Sequence, residues 1–227
     1  MPVALRRAAS PWLLTGLLAA AVIGIAARAP AADWERLSDK SGLLVERRPV
    51  TGSSSFEIRV TTHSPLPPKV IFDTLWSHRD YPQFIPHLKR CEILSDTGND
   101  RVVYEQVAVP LAQDRDYTVR LQKRVDPAAR RYEIFFEAAN DAGPAPDSRH
   151  VRVEQLRGSW TIEGNPGGNG SLVRYDLFTE PGGSIPTWIA NRAQRESAAD
   201  LVAAVLKRAR ENEGAAIKRA ADHDEGK

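Results

Sequence analysis

Cysteine is nearly absent from this chain: of 227 residues, only Cys91 carries a thiol. A single cysteine excludes an internal disulfide and any cluster of thiolate ligands, and with no histidine or motif beside it Cys91 reads as a small buried strand residue. Histidine is sparse too. His63, His78, His87, His150 and His223 are scattered, none with a second ligand at coordinating spacing, so no metal site is expected. A phosphate-cradling loop is also missing, because Asn165–Gly170 lies between two strand patterns, opens no helix and reads as a plain turn. Neither sign of charge dominates, with 31 basic residues against 29 acidic ones. Nucleic acid needs a basic footprint that neutralises phosphates, and it is excluded as a partner.

Long apolar runs are missing from all but the first residues of the chain. There, Arg6 and Arg7 precede an apolar stretch from Trp12 to Ala27, and small residues follow at Ala29-Pro30-Ala31. Basic start, apolar middle and small-residue end are the pattern of an export signal, so residues 1–31 are expected to be removed after Ala31 or Ala32 and the protein to be periplasmic or secreted. The competing reading is an uncleaved membrane anchor, against which the run falls short of the roughly 20 residues a span needs. No cysteine follows it, so a lipid-modified N-terminus is not expected. Removing the segment takes away Arg6, Arg7 and Arg28 and no acid. The mature chain then carries net charge −1, and the pI of about 8.8 describes the precursor alone.

What remains has the makings of one domain, residues 32–211, followed by a polar tail, 212–227. The hydrophobic fraction, 42%, is ordinary for a globular chain, and a domain of this size can bury a core and still enclose a cavity. Asp33–Lys40 reads as a short polar helix. Leu43–Val50 and Phe56–His63 read as a hairpin around Thr51–Ser55. The prolines at 65, 67 and 68 suit a helix entrance, and Val70, Ile71, Leu75 and Trp76 follow at helical spacing, with a second short turn near Arg79–Pro86. From His87 the period becomes that of strands: Leu88–Asp96, Arg101–Val109, Asp116–Val125, Arg131–Ala138, Arg149–Glu163 and Ser171–Glu180. Short turns between them predict an antiparallel meander, in which Tyr132, Ile134 and Phe136 share a face, as do Trp160 and Ile162, and Val173, Tyr175 and Leu177.

The last element is a long amphipathic helix. Ser184 and Pro186 suit its start, and Ile185, Trp188, Ile189, Ala198, Leu201, Val202, Val205 and Ala209 recur at three- and four-residue steps. Beyond Arg210 the chain is polar and is expected to fray. A strongly twisted sheet of this size must curl, and this helix is the only long one available to fill its concave face. The predicted class is α+β, a curved antiparallel β-sheet wrapped around a long C-terminal α-helix, with a pocket between the two.

Two segments carry a family likeness. Arg115-Asp116-Tyr117-Thr118-Val119-Arg120, together with Gly158-Ser159-Trp160-Thr161-Ile162 and Pro181 through Asn191, resembles the steroidogenic acute regulatory protein-related lipid transfer (START) domains over about residues 33–210. The resemblance implies a helix-grip fold that holds one lipid or sterol-like molecule, with Ala108–Asp114 gating the cavity against the last helix. It also implies a buried acid on the strand before that loop, where Glu105 stands, paired with a basic residue six positions after Arg115. That second position is Leu121 here.

The candidate ligand-binding residues follow from both lines of argument. If Glu105 faces inward with Val103 and Val107 it is a buried carboxyl in need of a partner; otherwise it is a solvated strand acid or is paired to an arginine. Trp188, Leu201, Val202 and Val205 are expected to line the chamber under the helix. Tyr132, Ile134, Phe136 and Tyr175 are expected on the sheet side. No catalytic residue, metal or cofactor is expected, because no nucleophile, base and acid converge. The leading expectation is a monomeric lipid-binding or transfer protein with transient membrane contact. Its rivals are a cyclase or aromatase of the same superfamily, with Glu105 or Tyr104 as acid or base, and an interaction module whose cavity is filled by its own side chains.

Overall fold

A computed structural model describes residues 33–110, 112–183 and 185–225, and the expected export segment lies outside them. The chain opens with three strands, β1 (Glu35–Lys40), β2 (Leu43–Pro49) and β3 (Phe56–Ser64), then helix α1 (Pro68–Trp76) and a 3-10 turn over His78–Gln83. Strands β4 (Leu88–Asp96), β5 (Asp100–Val107), β6 (Arg115–Asp126) and β7 (Arg131–Ala138) follow. After them come β8 (Val151–Arg152), β9 (Gln155–Gly164), β10 (Ser171–Glu180) and helix α2 (Thr187–Glu225). Nine strands form one antiparallel path in the order β1-β2-β3-β10-β9-β7-β6-β5-β4, and β8 pairs with β6 in parallel off that path. The class is the expected one, a curved antiparallel sheet holding a long C-terminal helix.

Three local expectations are corrected. The segment Asp33–Lys40 contains the edge strand β1 and no helix. Ser41 and Gly42 both take positive φ, 54° and 77°, and so fold the chain back in a two-residue hairpin onto β2. Pairing then outweighs a weak local preference, and Trp34 is held under the guanidinium groups of Arg48 and Arg59, 4.6 and 4.1 Å from its ring. The single strand expected over Arg149–Glu163 is broken at Val153–Glu154. Asn140 takes the Val153 carbonyl at 2.9 Å, while Arg152 turns inward to Asp116. Past Arg210 the helix does not fray but continues to Glu225. Glu211, Ala215, Ala216, Lys218, Arg219 and Ala220 there are good helix formers, and Asn212 ties the helix to Thr74 through a 3.1 Å hydrogen bond.

The strand registers align the apolar faces deduced from alternation. Tyr175 lies beside both Trp160 and Val60, Ile162 beside both Tyr132 and Val173, and Ile134 beside Trp160. These residues share the concave face, which curves around α1 and α2. Ile71 and Leu75 of α1 and Val202, Val205 and Ala209 of α2 are buried against it in a solid core with Val60, Ile162 and Val173. Completely burying side chains of this size contributes roughly 1.5–3 kcal/mol each, so this end of the molecule anchors both helices.

Candidate functional site

Away from that core the helix and the sheet part to leave a cavity of about 980 Å³. At roughly 30 Å³ per molecule it could hold on the order of thirty waters, far more than ordinary packing voids. Its floor is the concave sheet: Glu105 and Val107 of β5, Tyr117, Val119 and Leu121 of β6, Ile134 and Phe136 of β7, Trp160 of β9, and Tyr175 and Leu177 of β10. The roof is α2 from Ile189 to Leu201, and Leu75, His78, Tyr81 and Ile85 close one end. The rim is made by Val109, Pro110, Ala112 and Gln113 on one side and by Pro181, Gly183 and Pro186 on the other. Exposed residues on both sides of that rim give the cavity a mouth.

Aromatic packing sets the shape of the floor. Trp160 and Tyr175 stack with ring centroids 4.3 Å apart, and Phe136 stacks on Tyr175 at 6.1 Å. Gly158 makes this possible. A Cβ there would fall 2.1 Å from the Asp176 carbonyl oxygen and 2.5 Å from the Phe136 ring, so a bare backbone lets that ring lie across β9.

The mouth is held by the first motif residue. Arg115 is buried and donates to the carbonyl oxygens of Gln113, of Pro181 at 3.3 Å and of Gly182 at 3.2 Å. One guanidinium thus ties the loop before β6 to the loop that leads into α2. Gly182 and Gly183, at φ 63° and 69°, supply the left-handed turn that brings the second loop to it. Asp116 faces the other way. It accepts two hydrogen bonds from Arg152, at 2.9 and 2.8 Å, and one from the Tyr104 hydroxyl at 2.9 Å, and these hold its carboxyl below the usual range.

Polar side chains are the minority of the cavity wall. Glu105 faces the cavity, next in register to Tyr117 and Cys91, whose thiol lies 3.8 Å from its carboxyl. Burial raises the Glu105 pKa, and hydrogen bonding by Tyr117 and Cys91 opposes that rise only in part. Burial, and then the nearby Glu105, push the Tyr117 hydroxyl and the Cys91 thiol up as well. His78 is driven down to about 3 by burial and by Arg101, which donates to its Nδ1 at 2.8 Å. It is neutral near pH 7. No group of three or more potential metal ligands occurs among the described residues.

The structure sorts the residues singled out from sequence. Glu105, Val107, Ile134, Phe136, Tyr175 and Leu201 line the cavity together. Five others do not. Val103, Tyr132, Val202 and Val205 lie in the solid core, because α1 rises to meet the middle of α2 and fills the space there; Phe72 packs on Tyr132 with centroids 5.2 Å apart. Trp188, in the first turn of α2, is 70% exposed and lies outside the chamber. Sequence reasoning missed Tyr117, Val119 and Leu121, although their alternation along β6 carried the same signal as that on β7. It also missed His78 and Tyr81, for which no periodic signal existed.

Comparison with known proteins agrees with this geometry. The family described as polyketide cyclase/dehydrase and lipid transport matches residues 64–206. An uncharacterized protein of Pseudomonas aeruginosa is 30% identical over 180 residues, covering 77% of this chain and 86% of that protein. Mouse phosphatidylcholine transfer protein is 27% identical over 183 residues, covering 78% and 83%. Among solved structures, a fragment of the STAR-related lipid transfer protein from Xanthomonas axonopodis superposes with a TM-score of 0.71 at 25% identity, covering 78% of this chain and 98% of that one.

Proposed function

The chain belongs to the polyketide cyclase/dehydrase and lipid transport family and is a START domain, and from that premise we propose that it binds one lipid or sterol-like molecule in the cavity and carries it without chemical change. The observation that carries this reading is the void of about 980 Å³ between the sheet and Ile189–Leu201, walled mainly by apolar side chains. Burying roughly 400–600 Å² of apolar ligand surface contributes on the order of 10 kcal/mol before the costs of association, enough to hold a lipid with no covalent step. Release requires the rim to open, by movement of the loop before β6 or of the first half of α2.

The proposal extends to place and state. Residues 1–31 act as a cleaved export signal, and the protein works as a periplasmic or secreted monomer that touches membranes only while loading and unloading. Fractionation of the host followed by N-terminal sequencing tests export: a mature N-terminus at Ala32 or Asp33 outside the cytoplasm supports it. A protein that keeps residues 1–31 within the cytoplasm contradicts it.

The carrier function is tested by mixing donor vesicles holding a fluorescent lipid with acceptor vesicles. Transfer that rises in proportion to protein supports the proposal. No transfer, together with no lipid in organic extracts of protein purified from its host, contradicts it. One observation favours a second reading, cyclase-type acid–base catalysis, because Glu105 and Tyr117 form a polar pair inside the cavity. Turnover of a polyketide-like substrate, abolished by Glu105→Gln, would establish that reading in place of the first.

A further inference from the structure

The closed end of the cavity holds a histidine whose ring is fixed in place. His78 is 2% exposed and lines the void beside Leu75 and Tyr81. Its ring stacks on Tyr81 at 4.6 Å and meets Trp76 edge-on at 5.8 Å. Behind it stands Arg101, in register with Leu121 and about 13 Å along β5 from Glu105. Arg101 is buried and held by the Asp96 carboxylate at 3.0 and 2.6 Å and by the Trp76 carbonyl oxygen at 2.6 Å. The nitrogen that bonds that carbonyl also reaches His78 Nδ1, at 2.8 Å.

A guanidinium has only donors, so Nδ1 must present its lone pair to Arg101. The Trp76 carbonyl lies 3.4 Å from the same Nδ1, a long contact with an oxygen that Arg101 already occupies. The ring is neutral near pH 7, driven down to about 3, and its one proton therefore sits on Nε2. Among the described residues nothing accepts that proton. Thr118 Oγ1, Arg174 Nε and Asn191 Oδ1 are sealed in the interior without a partner, and His78 Nε2 is not one of them, so it opens on the space its ring lines. The Tyr81 hydroxyl, its neighbour at this end, spends its hydrogen on the Leu75 carbonyl at 2.6 Å.

We propose that His78 is a ligand-binding residue that donates its Nε2 proton to a carbonyl oxygen, of a ketone or an ester, at the buried end of the lipid, with Arg101 as its positioning residue. The inference rests on the lipid-carrier reading and names a group that the cargo carries. A hydrocarbon end would leave the N–H without a partner in an apolar enclosure. A carbonyl accepts one hydrogen bond and brings no hydrogen of its own, whereas a hydroxyl brings a second donor that needs an acceptor. A carboxylate would bring a charge to a neutral ring, and the nearby cation is already taken by Asp96.

The test titrates delipidated protein with one sterol in three forms, ketone, alcohol and fully deoxygenated, following the fluorescence of Trp160 in the cavity floor. The ketone is expected to bind about tenfold more tightly than the deoxygenated form, with the alcohol between them. His78→Phe, which keeps a stacking ring, should erase that preference, and His78→Gln, which restores an N–H donor, should recover part of it. Two spectra of the wild-type protein need no variant to fold. Nitrogen NMR should show His78 protonated on Nε2, and the infrared stretch of a carbon-13-labelled ketone should fall on binding. Arg101→Met should release the ring into a mixture of both tautomers. A proton on Nδ1, an unshifted carbonyl stretch, an alcohol that binds more tightly than the ketone, or an unaltered tautomer in Arg101→Met overturns the inference. A ketone that binds no better than the deoxygenated form, or no sterol binding while transfer between vesicles persists, also overturns it and leaves the carrier function standing. Loss of both binding and transfer in the folded protein removes the carrier reading as well.

Discussion

The middle of α2, from Val202 to Ala209, and the stretch before it, from Ile189 to Leu201, continue one apolar stripe but rest on different foundations. Beneath the former, Ile71, Phe72 and Leu75 of α1 meet the sheet and leave no space. Beneath the latter, α1 has ended at Trp76, and only the curved floor remains, some way below. A stripe at helical spacing states that a face will be covered; what covers it depends on which other elements reach that far. In this protein one half is covered by side chains, and the other is left for a guest. The difference assigns stability to the middle of the helix and binding to its N-terminal stretch.

The largest expected effect lies behind the mouth, at the Asp116–Arg152 pair. Side-chain exposures of 3% and 7% make it a buried ion pair, so Asp116→Ala, which leaves Arg152 without its partner, is expected to cost about 3–5 kcal/mol in urea unfolding. The pH dependence has a definite sign. Arg152 holds the Asp116 carboxyl below its unfolded value, so this stabilisation is fully present above the ordinary carboxylate range and is lost as pH falls through the lowered value. Asp116→Ala should accordingly flatten the acid limb of the stability curve.

The comparison between the two halves is tested next by a pair of truncations. Ile162→Ala, in the solid half, is expected to cost about 2–5 kcal/mol, whereas Leu201→Ala, which already borders the void, should cost about 1 kcal/mol or less. Equal losses would erase the distinction. Gly158→Ala should have an intermediate effect of about 1–3 kcal/mol, because its Cβ has to displace Phe136 or the backbone of β10. It should also alter which ligands are retained, since Phe136 forms part of the floor.

Glu105→Gln should change stability least, and in a pH-dependent way. Because burial raises the Glu105 pKa in the folded protein, the wild-type chain binds more protons folded than unfolded once pH exceeds about 4.3. Its stability therefore falls as pH rises from there through the raised value. The glutamine variant escapes that loss, so its melting temperature should exceed that of the wild type in alkaline buffer and match it in acid. The reverse order would place a charged Glu105 in a site that favours it.

Much of the sheet was legible because period-two alternation and turn residues report directly on pleat and pairing; β4, β7 and β10 fall where alternation puts them. β1 was not, since its residues are polar on both faces and its strand character comes from the hairpin turn at Ser41–Gly42 and a partner strand. The cavity was legible only as a consequence of curvature. Which residues line it was not, because Val202 and Leu201 look alike in sequence and are separated by whether α1 lies beneath them. Arg115 was noticed as a motif, but its task of joining the two rim loops depends on carbonyl oxygens as far along the chain as Gly182, which no spacing rule reveals.

The claim on which the rest depends is that the hollow half holds one lipid. Native mass spectrometry of the protein after exposure to mixed-lipid vesicles measures this directly, using Leu201→Trp to fill the void and Ile162→Ala to disturb only the solid half. One lipid per chain is expected in the wild type and in Ile162→Ala, and little or none in Leu201→Trp. A wild-type chain without bound lipid, or a Leu201→Trp chain that carries as much as the wild type, would contradict the assignment of binding to that cavity.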